Sequence, residues 1–282
     1  MKGRSSRRPE QGARTGRPAE AEPRRTAAGR VLAVLDAFGP DSPALSLSEI
    51  ARRADLTMPT AHRLVRELLG WGALERDAHG RYSVGLRLLE LSMLAPRGLE
   101  LREVAFPFLD RVHRLTGGNV HLGVRDGTQV LYVEALRAPG GNPLSSRIGD
   151  RWPMHASGTG LVLLAYADAG LQERVLDAPL ERFTPMTVTD PARLRRNLAW
   201  IRKTGVAVAR GQITLPDLVV AVPVTDDRGD VAAAISVVLA TERARPRELA
   251  ALLTETARSI SRCLAPHPRL RGAAARPSPL RR

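Results

Sequence analysis

At 282 residues with 43% hydrophobic side chains, the chain can fill one large core or two smaller ones, and its single cysteine, Cys263, excludes an internal disulfide and fits a reducing compartment. No apolar run approaches the roughly 18 residues that span a membrane, and no apolar segment follows the basic N-terminus, so neither a signal peptide nor a membrane partner is expected and the location expected is cytoplasmic. The net charge of +14 sits mainly at the ends: residues 1–30 hold nine Lys/Arg against three Glu and residues 266–282 hold five Arg and no acid, leaving only +3 for residues 31–265, so bulk charge by itself does not argue for DNA.

The Pro-, Gly-, Ala- and Arg-rich ends, residues 1–25 and 266–282, read as disordered basic tails. Residues 26–84 accommodate three short helices and a hairpin. "AAGRVLAVLDAFG" sets Val31, Leu32, Leu35 and Phe38 on one face and stops at Gly39-Pro40. "SLSEIARRADL" opens with Ser46 and Glu49 three residues on, a capping box. A turn through 54–56 leads to "TMPTAHRLVRELL", with Thr57 as the expected N-cap and Pro59 in the first turn. "GALERDAHGRYSVG" reads as strands 73–76 and 81–84 around a turn at 77–80.

Helix, helix, turn, helix, hairpin is the order of a winged helix-turn-helix, whose third helix enters the major groove by its N-terminal end. Ala61, Leu64, Val65, Leu68 and Leu69 follow helical spacing and form the expected buried stripe. Met58, Thr60, His62, Arg63 and Arg66 are left outward as candidate DNA contacts. In that role Met58 and Thr60 meet base edges or a thymine methyl, and Arg63 a phosphate or a guanine. Arg76, His79 and Arg81 in the wing are candidates for backbone or minor-groove contacts. A solvated charged face is the default for an isolated helix; the bracing helix before it and the hairpin after it reverse that default.

Residues 85–98 read as a linker helix, with Leu86, Leu89, Leu91 and Met93 too dense for a solvent-exposed helix, so that part of it should pack against another element or chain. Pro96 and Gly98 break it, and the next helix carries Leu101, Val104, Phe108, Leu109 and Val112 on one side before Gly117-Gly118. Residues 99–265 then alternate strands and helices. A hairpin turns at Asp126-Gly127, its second arm placing Val130, Tyr132 and Glu134 on one face. "ASGTGLVLLAYA" is a helix with a Gly-rich entry, and Asp190-Pro191 opens another that Gly205 ends. A second hairpin turns at 227–230, and a closing helix buries Leu249, Leu252, Leu253, Ala257, Ile260 and Leu264. The fold class expected is α+β, an antiparallel sheet with helices on its faces.

A small-molecule pocket in such a domain is largely apolar with a few convergent polar groups. The candidates are Asn119, His121, Met154, Ser157, Gly158, Thr159, Ala221 and Ser236, with backbone N–H groups near Gly158 able to receive a carboxylate. The competing reading is that Ser157 only caps its helix and the glycines only allow close packing. Catalysis finds little support. His155 and Ser157 are close in sequence but form no G-x-S-x-G elbow, so no catalytic residue is expected. The histidines and the cysteine have no metal-ligand spacing, "DDRGD" resembles a turn more than a calcium loop, and no phosphate- or dinucleotide-binding glycine motif occurs, so neither metal nor cofactor is expected.

From residue 26 to 264 the chain resembles the IclR family of bacterial transcriptional regulators. "LSLSEIARRADLTMPTAHRLVRELLGWGALERDAHGRYSVGLRLLELS" is similar to that family's winged helix-turn-helix, and "MHASGTGLVLLAY", "TVTDPARLRRNLAWIRKTGVAVARGQ" and "VAVPVTDDRGDVAAAISVVL" to its later landmarks. The resemblance implies a GAF-like effector-binding C-terminal domain and homodimers, commonly paired into tetramers. It further implies a pseudo-palindromic operator on double-stranded DNA, repression more often than activation, and a small organic effector such as an aromatic or keto acid. Two places depart from the family's pattern: Gly160-Leu161 stands where a Gly-Lys pair is usual, and "RGQITLPDLVV" lacks the usual acidic residues and glycine. Two alternatives stay open: a regulator whose pocket is filled by its own side chains, and a small-molecule-binding or enzymatic protein whose helix-turn-helix contacts protein.

Overall fold

The computed structural model describes residues 26–94, 96–138 and 147–264, which fall into two compact units on either side of residue 95. The two tails lie outside the described residues.

In the first unit, α1 (Ala27–Asp36) is capped by Thr26, whose hydroxyl accepts from the Gly29 N–H at 2.9 Å. Its buried positions are Gly29, Ala33 and Val34, with Val31, Leu35 and Phe38 partly buried; Leu32 is half exposed. The expected face was therefore rotated: small residues sit at the closest approach, and Leu32 falls outside the stripe. Strand β1 (Ala44–Leu45) went unrecognised because two residues carry no alternation. Helix α2 (Leu47–Arg53) has the expected capping box, Ser46 Oγ accepting from Glu49 N–H and Glu49 accepting from Ser46 N–H at 2.8 Å. Those hydrogen bonds to Ser46 hold the Glu49 carboxyl below the usual carboxylate range.

The turn that follows is tight enough to put Asp55 in the left-handed region, at φ 55°. Asp tolerates that region better than most residues with a Cβ. Helix α3 (Met58–Trp71) buries Ala61, Leu64, Val65 and Leu68 as the spacing predicts, with Leu69 partly buried, and ends on Gly72 at φ 82°. Strands β2 (Leu74–Arg76) and β3 (Tyr82–Val84) form the wing hairpin, and β1 pairs with β3 to complete a three-stranded sheet in the order β1-β3-β2. Helix α4 (Leu86–Ser92) belongs to this unit, with Leu88 packed against its core.

The second unit opens with α5 (Pro96–Thr116), so Pro96 starts a helix rather than only ending one, and Gly98 lies inside it. Then come β4 (Asn119–Asp126), β5 (Gln129–Leu136), β6 (Arg151–Pro153), α6 (Gly158–Ala165), α7 (Ala169–Leu176), α8 (Pro191–Thr204), β7 (Ala207–Arg210), β8 (Asp217–Thr225), β9 (Val231–Ala240) and α9 (Pro246–Leu264). Short β6, β7 and α7 were not anticipated. The strands make one antiparallel sheet, β6-β5-β4-β9-β8-β7.

Each face of this sheet has its own core. Helices α5 and α9 cover one, where Leu101, Ala105, Leu109, Leu253 and Ile260 meet Val120, Leu122, Val220, Val222, Ile235 and Val237. Leu252 is only partly buried there. Helices α6, α7 and α8 cover the other, where Val162, Leu164, Leu171, Leu194 and Leu198 meet Val130, Tyr132, Ala221 and Ala234. The period of two assigns residues to faces correctly along β4 and β8, and along β9 from Ala233 on, a register shift beside Thr225 putting Val231 with the α6-side core and Ala233 with the other. It fails on β5, where a bulge at Leu122/Gly123 pairs Leu122 with Glu134 and Gly123 with Tyr132. Glu134 is thereby moved off the face of Tyr132 to that of α5, where the Arg102 guanidinium donates to it at 2.8 Å.

Candidate functional site

The first site is the outward face of α3 with the wing. Pro59 at the helix start lacks an N–H that would have no partner, and Thr57 caps by position only, its hydroxyl instead lying 2.9 Å from that of Thr60. Met58, His62, Arg63 and Arg66 are exposed and Thr60 partly so. Arg63 leans along the helix onto Glu67 at 2.6 Å, an ion pair with both side chains more than half exposed. Such a pair contributes little to stability, so the guanidinium can leave it for an anion. His62 and Arg66 have no hydrogen bond or ion pair among the described residues.

The wing residues divide. His79 stands exposed at the turn, where the Asp77 carboxylate accepts from the backbone N–H of His79 and of Arg81. Arg76 folds back, donating to the Gly80 carbonyl at 3.3 Å and lying 5.4 Å from the Tyr82 ring centre. The Arg81 guanidinium donates to the Ala44 carbonyl on β1. Arg81 thus braces the wing against the segment leading into α2, a role invisible without β1. Arg53 plays a similar part, donating to the Ala37 carbonyl and to the Ser42 hydroxyl.

The second site is an open cleft of about 610 Å³, its solvent mouth included, on the α6 face of the large sheet. Asn119, His121, Ser157, Gly158 and Ser236, all named from sequence, line it together. Met154, Thr159 and Ala221 do not: each is fully buried behind the wall. Thr159 donates to the Tyr132 hydroxyl at 3.3 Å, and Met154 and Ala221 pack in the α6-side core. Sequence reasoning missed Tyr132, Trp152, Ala156, Gln212, Ile213, Thr214, Asp217, Val219 and Val238. Tyr132 and Val219 could have been placed by strand alternation. Trp152 and the 212–214 segment carry no periodic signal.

The cleft owes its shape to close backbone approach. A Cβ on Gly158 would lie 2.4 Å from Val219 Cγ1, and one on Gly160 2.4 Å from Ser157 Oγ and 2.6 Å from Met154 Cα. The Ser157 hydroxyl caps α6 by accepting from Gly160 N–H at 3.2 Å while donating to the Pro153 carbonyl at 3.0 Å, so its capping role is fully engaged. The departures from the family pattern are structural. Leu161 is buried in the α6-side core, and the Gln212 amide is spent on the backbone, donating to the Met186 carbonyl and accepting from Val188 N–H.

Several lining groups have unmet hydrogen-bonding capacity. His121 is buried and stacks on Tyr132 with ring centres 4.8 Å apart; its Nδ1 is 3.5 Å from the Ser236 hydroxyl, while its Nε2 has no partner among the described residues. Burial lowers its pKa to about 4, so it is neutral near pH 7. Trp152 Nε1 is likewise buried without an acceptor. Burial pushes the Asp217 carboxyl up. Buried polar atoms are ordinarily paired, and both of these orphans belong to residues that line the cleft.

A winged helix-turn-helix in one unit and a cleft-bearing α+β fold in the other define a DNA-binding regulator with a separate second domain. Residues 27–78 match the IclR helix-turn-helix domain and residues 94–262 the bacterial transcriptional regulator IclR C-terminal domain. The chain belongs to the IclR family of bacterial transcriptional regulators. It is 35% identical over 242 residues to the HTH-type transcriptional regulator BhcR of Paracoccus denitrificans, covering 84% of this chain and 86% of that one. It is 29% identical over 260 residues to the HTH-type transcriptional repressor AllR of Escherichia coli, covering 89% and 96%. Among solved structures, an IclR homologue from Microbacterium hydrocarbonoxydans complexed with 4-hydroxybenzoate is 39% identical, with TM-score 0.80, over 83% of this chain and 97% of that one.

Proposed function

We propose that this regulator represses transcription from a pseudo-palindromic operator, which it binds as a homodimer or a pair of dimers, and that a small organic effector in the α6-side cleft changes its affinity for DNA. The observation that carries the DNA half is the exposed start of α3, where Met58, Thr60, His62, Arg63 and Arg66 stand outward from a braced, well-packed helix. The two orphaned polar atoms favour an occupied cleft over one filled by the protein's own side chains. The aromatic walls of His121, Tyr132 and Trp152 favour a ring compound over a keto acid, and the 4-hydroxybenzoate in the Microbacterium relative supports that choice.

Copies would associate through the apolar surface of α4, where Leu86, Leu89 and Met93 are more than half exposed. No helix among the described residues is long and apolar enough to cross a membrane, which fits work on DNA in the cytoplasm. The protein acts by binding, without a catalytic step.

Footprinting on the DNA flanking its gene, with and without aromatic ligands, tests the reading. A protected site of two half-sites spaced by one or two helical turns is expected, and no protected site refutes it. Arg63→Ala should lower specific affinity by roughly 1–3 kcal/mol with relaxed preference at one base pair. Uniform weakening on all sequences would reassign Arg63 to phosphate.

A further inference from the structure

We infer that the cleft selects a small neutral phenol, one ring bearing a hydroxyl donor and an uncharged carbonyl oxygen, over the corresponding free acid, and that Asp217 sets this preference. The inference rests on the effector reading above and sharpens it. Its basis is the charge of the wall. Among the described residues that line the cleft, Asp217 is the one with a carboxyl group, none is Lys or Arg, and His121 is neutral near pH 7.

The Asp217 carboxylate has no hydrogen bond or ion pair with any described residue, and only burial acts on its pKa. Its own backbone is fixed: its N–H donates to the Thr214 carbonyl at 3.0 Å and its carbonyl accepts from Gly211 N–H at 2.7 Å. An unpaired, half-buried carboxylate gains from a hydroxyl that donates to it and repels a second carboxylate, the more so where water is scarce. At Trp152 the need is opposite, because its buried N–H is a donor without an acceptor. A carbonyl oxygen answers it without adding charge. Between the two in strand order lie Tyr132 and His121, stacked on each other in the cleft wall, with His121 Nε2 a further unmet polar atom.

The probes are 4-hydroxybenzoate and its neutral counterpart 4-hydroxybenzamide, titrated calorimetrically into the full chain at pH 7.5, with wild type, Asp217→Asn and Trp152→Phe. Wild type is expected to bind the amide about tenfold or more tightly than the acid. Asp217→Asn should shrink that ratio about tenfold by gaining affinity for the acid. Trp152→Phe should weaken amide binding while leaving the order of the two ligands unchanged. Acid binding as tight as amide binding in wild type, or an unchanged ratio in a folded Asp217→Asn, overturns the inference and leaves the effector reading standing. If neither probe binds wild type, this inference fails, and if a wider panel of ring compounds also fails to bind, the effector reading fails with it. The wild-type ratio decides the matter alone should the Asp217 variant not fold.

Discussion

His121 is the residue whose setting departs furthest from its ordinary chemistry. In the unfolded chain an imidazole titrates near 6.5, and in the fold burial lowers it to about 4. Between those values the unfolded chain holds more protons, so stability is full above about pH 6.5 and falls as pH drops toward 4. The displacement corresponds to about 3 kcal/mol for a group this buried. Urea denaturation of wild type and His121→Gln at pH 7.5 and pH 4 checks it: wild type should lose about 2–3 kcal/mol more than the variant over that interval. Equal losses would mean that the imidazole is hydrated or paired in solution. The need for an imidazole beside Ser236 on a neighbouring strand could be read from alternation. Its orphaned Nε2 could not, because its burial depends on Tyr132 arriving from a strand whose register the sequence does not display.

Helix α6 makes the point for elements. Every residue from Gly158 to Ala165 is buried, so it has no polar face and little amphipathic signal, yet its Gly-rich start announces tight packing. Gly160→Ala should bring a methyl against Ser157 Oγ and the Met154 backbone, a clash that outweighs the roughly 1 kcal/mol Ala gains in helix propensity. A net loss of about 1–2 kcal/mol in thermal or chemical denaturation is expected; unchanged or raised stability would place the Met154 backbone further away. Elements with a strong local signature were legible: the capping box before α2, the stripe on α3, Asp190-Pro191 and Gly205 bounding α8. The two- to four-residue strands β1, β6 and β7 were not, since they exist only through their partners. Likewise the bulge in β5 reversed Glu134 because pairing geometry overrode a regular alternation.

For the molecule as a whole, the proposed assembly rests on exposed leucines in and just after α4. Leu86 and Leu89 on α4 and Leu94 just beyond it are 67%, 58% and 75% exposed within one chain, an arrangement a solitary soluble segment avoids. Leu86→Glu with Leu89→Glu should shift the sedimentation coefficient toward a monomer and abolish binding to a two-half-site operator while sparing the fold. A double variant that still sediments as an oligomer would move the contact elsewhere. The two-domain plan was legible because each half carries its own order of motifs; which half owns α4 was not, because Leu88 joins the first core through a single contact face.

Strand β4 has side chains on both sides of the large sheet. Asn119 and His121 look into the cleft, while Val120 and Leu122 sit among Leu101, Ala105 and Leu109 of α5, the helix that leaves the DNA-binding half along the chain. A guest in the proposed site would therefore be separated from α5 by the thickness of one polypeptide backbone. In the proposed reading, a nudge to the imidazole would reach Leu122 one peptide unit away through the strand itself, without a wire of intervening side chains.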